Sequence, residues 1–174
     1  VLAFALMNQN KKTPDVKAAY LITFTWSKDL DNDVDAYVED PEGNIVFFGR
    51  REDGLMHLDR DDLGHKNDTV ETKFGKITYS ENREIITLRG TVQGEYCVNV
   101  HAYNFNHDKP TEVVVQLEKI SPNYSVVVQR KVTLLKNGDE KTCFRFKVNS
   151  KGDISGVSQI EKKLLGRKEK QGQP

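Results

Sequence analysis

Apolar and polar residues alternate in a series of short runs that begins at residue 18 and ends near residue 149. Successive side chains of a β-strand point to opposite faces, so an alternation with a period of two predicts half-buried strands. A helix-length pattern with a period of 3.6 does not occur before residue 156. The alternation predicts strands at 18–26, 34–38, 45–48, 84–88, 94–103, 111–120, 125–135 and 140–149.

Turn-forming residues separate these runs. Pro41-Glu-Gly43 and Ser121-Pro-Asn123 both lie between predicted strands. The pair Asn137-Gly138 is the clearest hairpin signal, because both central residues of a type I′ turn need a positive φ. Short connections without crossover helices predict an all-β fold, an antiparallel β-sandwich of jelly-roll or immunoglobulin-like kind over residues 17–150. Trp26 is expected in the core of that sandwich.

The segment 50–80 does not follow the alternation. It is polar and rich in Asp and Gly. A connection of this length between strands is usually either functional or disordered. The apolar residues Leu55, Met56, Leu58 and Leu63 within it indicate that the segment is held against the body of the domain. We therefore expect a long inserted loop that carries whatever site the protein has.

The beginning of the chain carries the apolar run 1–7, which stops at the polar residues 8–12. Seven residues are too few to cross a bilayer, which needs about 20. Residues 1–16 are predicted to be the end of an N-terminal anchor or signal segment with its linker, and a membrane contact would then involve a helix ahead of Val1. A first strand or a loose apolar end is the alternative.

The other end of the chain predicts a short helix over residues 151–166. Val157, Ile160 and Leu164 have amphipathic spacing, and Gly166 is placed as a C-terminal stop. The tail 167–174 lacks apolar residues and is predicted to be disordered.

Charges are balanced but segregated. The chain has 26 basic and 26 acidic residues. Residues 29–68 hold 13 acids and 4 bases, whereas residues 119–174 hold 13 bases and 5 acids. The two blocks either pair within the folded domain or meet head to tail between neighbouring copies. A nucleic-acid surface needs a basic face with aromatic residues or a known reading motif, and the C-terminal bases show neither, so no nucleic-acid partner is expected.

Four aspartates occupy every second position from Asp29 to Asp35. Such a row repels itself unless a cation, an arginine or water lies opposite. Calcium binds roughly six to eight hard oxygen ligands, often carboxylates. If the inserted loop folds over this row, its own acids complete a calcium site; otherwise Arg50, Arg51 and Arg60 neutralise the acids, or the row lines a solvated turn. The predicted ligands are Asp29, Asp31, Asp33, Asp35, Asp59, Asp61 and Asp62.

An EF-hand loop is rejected. Asp31, Asp33 and Asp35 match its first, third and fifth positions, and Glu42 matches the twelfth. The sixth position needs a glycine for its sharp turn, and this chain has Ala36 there. The predicted site is therefore an irregular one.

Enzymatic chemistry has little support in the sequence. A metal-dependent hydrolase is one alternative, in which His57, Asp59 and His65 converge on one ion. The chain has no Gly-x-Ser-x-Gly elbow and no glycine-rich phosphate loop. Its two cysteines, Cys97 and Cys143, form either a disulfide or two free thiols. We expect a protein without catalytic activity.

Several motifs resemble bacterial extracytoplasmic Asp-rich β-sandwich domains. They are Trp26 followed by Asp31-x-Asp33-x-Asp35, Asp40-Pro41-x-Gly43, and Gly94-x-Tyr96-x-Val98-x-Val100. The similarity covers residues 18–150 and includes the pre-peptidase C-terminal type and related uncharacterised domains. It implies an accessory module, some members of which bind calcium, with the first three aspartates as leading ligands. The block 54–64 departs from the short hairpin expected there and looks more like small single-pass or phage-encoded proteins.

The sequence thus predicts a non-catalytic binding or structural module that is stabilised by Ca²⁺. We expect it on the periplasmic or extracellular face, anchored to the membrane, with a protein or a second copy as its partner. The first alternative is a phage virion or surface-assembly protein, and the second is the metal-dependent hydrolase.

Overall fold

The structure, a computed structural model, describes residues 18–78, 81–106 and 109–166. A short 3₁₀ turn, Gly64–Asn67, is the helical element among them. The strands are β1 (Tyr20–Trp26), β2 (Asn32–Glu39), β3 (Ile45–Val46), β4 (Glu52–Asp53), β5 (Met56–Arg60), β6 (Thr69–Thr72), β7 (Gly75–Thr78), β8 (Asn82–Leu88), β9 (Gly94–Phe105), β10 (Thr111–Lys119), β11 (Ser125–Leu134), β12 (Glu140–Val148) and β13 (Ile154–Ser158).

Two antiparallel sheets carry most of these strands. Sheet A has the order β11-β10-β1-β8-β5-β4, and sheet B has the order β13-β12-β9-β2-β3. Strands β6 and β7 form a separate two-stranded sheet. The predicted all-β, antiparallel character is confirmed, and each of the predicted strands overlaps an observed one.

The core lies between the inner faces of the two sheets. Sheet A contributes alternating residues such as Ile22 and Phe24, and sheet B contributes residues such as Val98 and Phe144. Complete burial of one such side chain contributes about 1.5–3 kcal/mol. Trp26 is buried as predicted and donates its indole N–H to the Asn32 carbonyl oxygen at 2.9 Å. The core therefore consists of the alternate, inward-facing side chains of the strands in both sheets.

The two cysteines are free and buried. Cys143 belongs to the core between the sheets, whereas Cys97 lies in a second apolar cluster with Tyr37. Period-two alternation with Phe144 and Phe146 would place Cys143 on the opposite face of β12, yet Cys143 shares the core with them. A register shift between Thr142 and Phe144 in the β12–β9 pairing explains the difference, because an extra residue changes which face a side chain occupies.

The segment 50–80 is not a long loop throughout. Strands β4 and β5 join sheet A, where β5 pairs with β8. Met56 and Leu58 on β5 are buried in the core, which confirms that this part of the segment is held against the body, whereas Leu55 and Leu63 are exposed. The run Met56-His57-Leu58 is a short period-two pattern that the surrounding polar residues obscured.

The helix predicted over 151–166 is wrong. Residues Ile154–Ser158 form β13, which pairs with β12, and residues 159–164 have no regular secondary structure. Leu164 is fully buried against the outer face of sheet B. Spacings of three and four residues suited a helix, but pairing with the exposed edge of β12 satisfies the backbone of 154–158 instead.

The predicted anchor or linker segment 1–16 and the predicted tail 167–174 lie outside the described residues. No helix in the described ranges is both long and apolar enough to pass through a bilayer.

Candidate metal centre

The N-terminal half of β2 lies at the edge of sheet B. β2 pairs with β9 along its length, but it pairs with β3 only through Val38 and Glu39. A strand edge without a neighbour offers backbone N–H and C=O groups that need partners. Within the described residues, this edge is bordered by the segment that follows β5 and by the 3₁₀ turn. The two acidic segments identified in the sequence therefore meet here.

Glu84 supplies a partner for this edge. It lies on the inner face of β8 and is buried. Its Oε2 accepts a hydrogen bond from the Ala36 backbone N–H at 2.7 Å, and its Oε1 accepts one from the Asp62 backbone N–H at 3.4 Å. Burial raises the pKa of Glu84 well above its usual value, and the nearby charge of Asp35 raises it further. Glu84 thus joins sheet A to the edge of sheet B.

Asp35, Asp61 and Glu84 form the carboxylate cluster. Each offers one oxygen, and these oxygens lie within 4.8 Å of one another. Asp35 and Glu84 are buried, and Asp61 is half-buried. Two carboxylates at that separation repel each other by roughly 3–4 kcal/mol at an effective dielectric constant near 20. Such a group is stable only when a cation or bound protons offset the negative charge.

Asp33 adds a fourth carboxylate beside the cluster. It lies two positions before Asp35 on β2, and only 6% of it is exposed. Its Oδ1 atom is buried and has no hydrogen-bond partner. Burial, together with the charges of Asp35 and Asp61, raises the pKa of Asp33 to about 7. A buried acceptor without a donor is unfavourable, so this oxygen is suited to receive a cation.

His101 on β9 contacts the cluster from the other side of β2. Its Nδ1 atom lies 3.4 Å from Asp35 Oδ2, and the two residues are register partners. Partners of this kind orient a carboxylate that ligates a metal.

Two of the predicted ligands anchor turns. Asp31 Oδ1 accepts a hydrogen bond from the His65 backbone N–H at 3.0 Å, and this bond lowers the pKa of Asp31. Asp62 Oδ1 accepts from the Gly64 N–H at 3.1 Å, and its Oδ2 accepts from the Arg83 N–H at 2.9 Å. Arg60 also pairs with Asp62 at 3.0 Å. These carboxylate oxygens already accept hydrogen bonds within the folded domain.

The remaining two predicted ligands lie outside the cluster. Asp29 is exposed in the turn between β1 and β2. Asp59 contacts His57 Nδ1 at 2.9 Å and accepts a hydrogen bond from Thr87. Of the seven predicted ligands, the structure therefore brings Asp33, Asp35 and Asp61 to one place.

Sequence reasoning missed Glu84. The signal was present in its strand, because Glu84 lies on the same inward-facing side of β8 as Ile86 and Leu88. A charged residue at a core position of an alternating strand indicates a buried polar interaction.

The hydrolase alternative required His57, Asp59 and His65 to converge. His65 Nε2 instead contacts the Lys28 carbonyl oxygen at 2.8 Å. In the described part of the chain, the ligand atoms of these three residues do not lie close enough together to hold one metal ion. The residues whose ligand atoms do lie that close are those of the carboxylate cluster.

Comparison with protein-family models, with curated proteins and with solved structures found no match to this chain. The resemblance to extracytoplasmic sandwich domains rests on the sequence motifs and stays a prediction. The fold and the site define an all-β protein with two antiparallel sheets and a buried group of carboxylates at one sheet edge.

Proposed function

We propose that this protein is a non-catalytic β-sandwich module, of jelly-roll or immunoglobulin-like kind, that is stabilised by Ca²⁺ bound at the carboxylate cluster. The observation that supports this proposal is the approach of the Asp35, Asp61 and Glu84 oxygens to within 4.8 Å. In this proposal the protein acts on the extracytoplasmic side as a binding or structural module.

The chemistry of the donors favours calcium among common ions. All three oxygens belong to carboxylates, and Asp33 adds a fourth carboxylate beside them. Zinc prefers nitrogen and sulfur ligands, and magnesium usually retains several waters with only one or two carboxylates. Calcium tolerates irregular, carboxylate-rich sites.

A structural role suits the position of the cluster. Its members come from β2 of sheet B, β8 of sheet A and the segment after β5. An ion bound here would join the two sheets and the inserted segment. Burial of Asp35 and Glu84 leaves little access for a substrate, which favours stabilisation over catalysis.

The proposed extracytoplasmic location suits this kind of site. Extracellular calcium modules bind the ion with dissociation constants of about 10⁻⁴–10⁻³ M, which suits a compartment where the ion is abundant. A dissociation constant in that range, measured by calorimetric titration, would support the proposal.

Thermal and urea unfolding with calcium and with a chelator test the proposed function. At 100 times its dissociation constant, calcium adds about 2.7 kcal/mol to the free energy of unfolding. Asp35→Asn should abolish this gain. Asp29→Asn is the matched control, because Asp29 is exposed and outside the cluster, and it should keep the gain. A wild-type protein whose stability is the same in calcium and in chelator would contradict the proposal.

The assembly alternative predicts that opposite charge blocks meet between copies. In the structure, members of the two blocks already pair within one molecule, as Lys162 does with Glu39. We therefore propose that the blocks serve the fold of the single domain. Light scattering that shows self-association suppressed by salt would favour the assembly function instead.

A further inference from the structure

The hairpin of β6 and β7 exposes an apolar surface. All eight of its strand residues are exposed. Val70 and Ile77 are direct cross-strand partners, and each is 45% exposed. Phe74, in the turn between the strands, is 90% exposed. Isolated exposed apolar residues are ordinary, but three in one small hairpin indicate a contact surface.

Two backbone groups in the turn of the hairpin are hydrogen-bonded to Thr72. The Phe74 backbone N–H donates to Thr72 Oγ1 at 3.2 Å, and the Thr72 hydroxyl donates to the Gly75 carbonyl oxygen at 2.9 Å. Gly75 has a φ of 124°, which side chains rarely allow. Peptide groups that enter a region of low polarity must be paired internally. This turn can therefore enter such a region without leaving these polar groups unpaired.

Two lysines flank the ring of Phe74 in sequence. They are Lys73 and Lys76, and residues 72–78 contain no acid. Lys73 Nζ lies 4.9 Å from the centre of the Phe74 ring, and Lys76 forms an exposed pair with Glu71 at 3.1 Å. A lysine can place its aliphatic stem along an apolar surface while its ammonium group remains in water. Anionic lipid headgroups attract such ammonium groups.

We propose that this hairpin binds the surface of a membrane containing anionic lipids, with Phe74 inserted at the level of the acyl boundary. Lys73 and Lys76 then lie among the headgroups, and Val70 and Ile77 face the interface. The proposal goes beyond the cation site and does not depend on it. A single inserted ring makes the contact weak and reversible.

A bilayer suits this surface better than a protein partner does. Specific protein interfaces bury at least about 1,000 Å² in total. Even a fully buried aromatic side chain covers only about 150–250 Å². One ring and two partly exposed aliphatic side chains provide much less than an interface requires, whereas a lipid surface needs no complementary pocket.

Co-sedimentation of the full chain with vesicles tests the proposal. Vesicles of phosphatidylcholine mixed with phosphatidylserine are compared with phosphatidylcholine alone, in chelator so that calcium cannot bridge protein and lipid. Phe74→Ser should lower the partition coefficient at least about tenfold. Leu135→Ser, which changes an exposed apolar residue outside the hairpin, should leave it unchanged. Combined Lys73→Glu and Lys76→Glu should remove the preference for the mixed vesicles, as added salt should.

Fluorescence provides a second readout. Phe74→Trp places an indole at the turn, while the native Trp26 is buried and gives a constant background. Emission should shift to shorter wavelength only with the mixed vesicles. Three results would overturn the proposal: no binding to either vesicle, binding that Phe74→Ser leaves unchanged, or Phe74-dependent self-association without any binding to lipid.

Discussion

Sheet B buries carboxylates in two regions, and the groups that surround these carboxylates differ between the two regions. On the outer face, Glu140 Oε1 accepts hydrogen bonds from Asn99 Nδ2 at 2.6 Å and from the Leu164 backbone N–H at 2.7 Å. Glu39 pairs there with Lys162. At the edge of β2, in contrast, Asp35, Asp61 and Glu84 direct oxygens toward one another. Burial is similar in the two regions, but the outer face places an ammonium group beside its carboxylates, whereas the edge of β2 places carboxylates beside one another.

The comparison shows what distinguishes a candidate ion site from a structural carboxylate. A buried anion surrounded by N–H groups and an ammonium group is stabilised by the protein itself. A buried anion surrounded by other anions needs protons or a cation from solution. The edge of β2 is therefore where the stability of this protein should respond to ions and pH.

The pH dependence should show the largest effect. Asp33 has a folded-state pKa of about 7 against an ordinary value of 3.8, so the folded state binds its proton more tightly than the unfolded state. The resulting stabilisation is complete below about pH 4 and is lost as the pH rises through 7. In chelator, the loss should reach up to about 4 kcal/mol. Urea unfolding from pH 4 to pH 8 measures it.

The Asp33→Asn variant is the control for this prediction. It lacks the titrating group, so its stability in chelator should depend less on pH over the same range. A wild-type stability that rises from pH 4 to pH 8 in chelator would contradict the predicted sign.

Replacing a carboxylate by its amide should have opposite effects of intermediate size in the two regions. Glu140→Gln weakens charge-assisted bonds to several donors and should lower the free energy of unfolding by about 2 kcal/mol. Asp61→Asn removes one of three mutually repelling carboxylates and should raise it by about 1 kcal/mol in chelator. Chemical denaturation of both variants measures the difference. An equal decrease in the free energy of unfolding for both variants would contradict the difference between the two regions.

The smallest effect is expected at the ion pair on the outer face. Lys162→Met keeps the aliphatic stem but leaves Glu39 without its ammonium partner, which should destabilise the protein by about 1 kcal/mol. Lys131→Met is the matched change in the exposed pair with Glu112, and it should alter stability by less than about 0.5 kcal/mol. Thermal unfolding of the two variants separates these outcomes. Identical shifts would mean that partial burial adds nothing to the first pair.

Much of the fold could be predicted because period-two alternation reports the burial of alternate side chains directly. β9, whose Tyr96, Val98 and Val100 face the core, is an example. The C-terminal segment could not be predicted, since Val157, Ile160 and Leu164 are compatible with a helix and with a strand followed by an extended segment. Which of the two forms depends on the free edge of β12, a feature that is distant in sequence.

The candidate site was predictable in part for the same reason. Asp33 and Asp35 stood out through their spacing, and Asp61 stood out through the acidic composition of its segment. Glu84 was not predicted, because its importance comes from its inward position opposite the edge of β2. Asp31 and Asp62 were indistinguishable from the others in sequence, although their oxygens accept hydrogen bonds from the backbone N–H groups of His65 and Gly64.

The sequence by itself determined the β-character of the protein, most of its strands and an excess of acid in two segments, because these follow from local spacing and composition. Only the tertiary structure decided which carboxylates face one another and which face donors. That choice depends on strand order and on which sheet edge remains unpaired, and pairings between residues far apart in the chain set both.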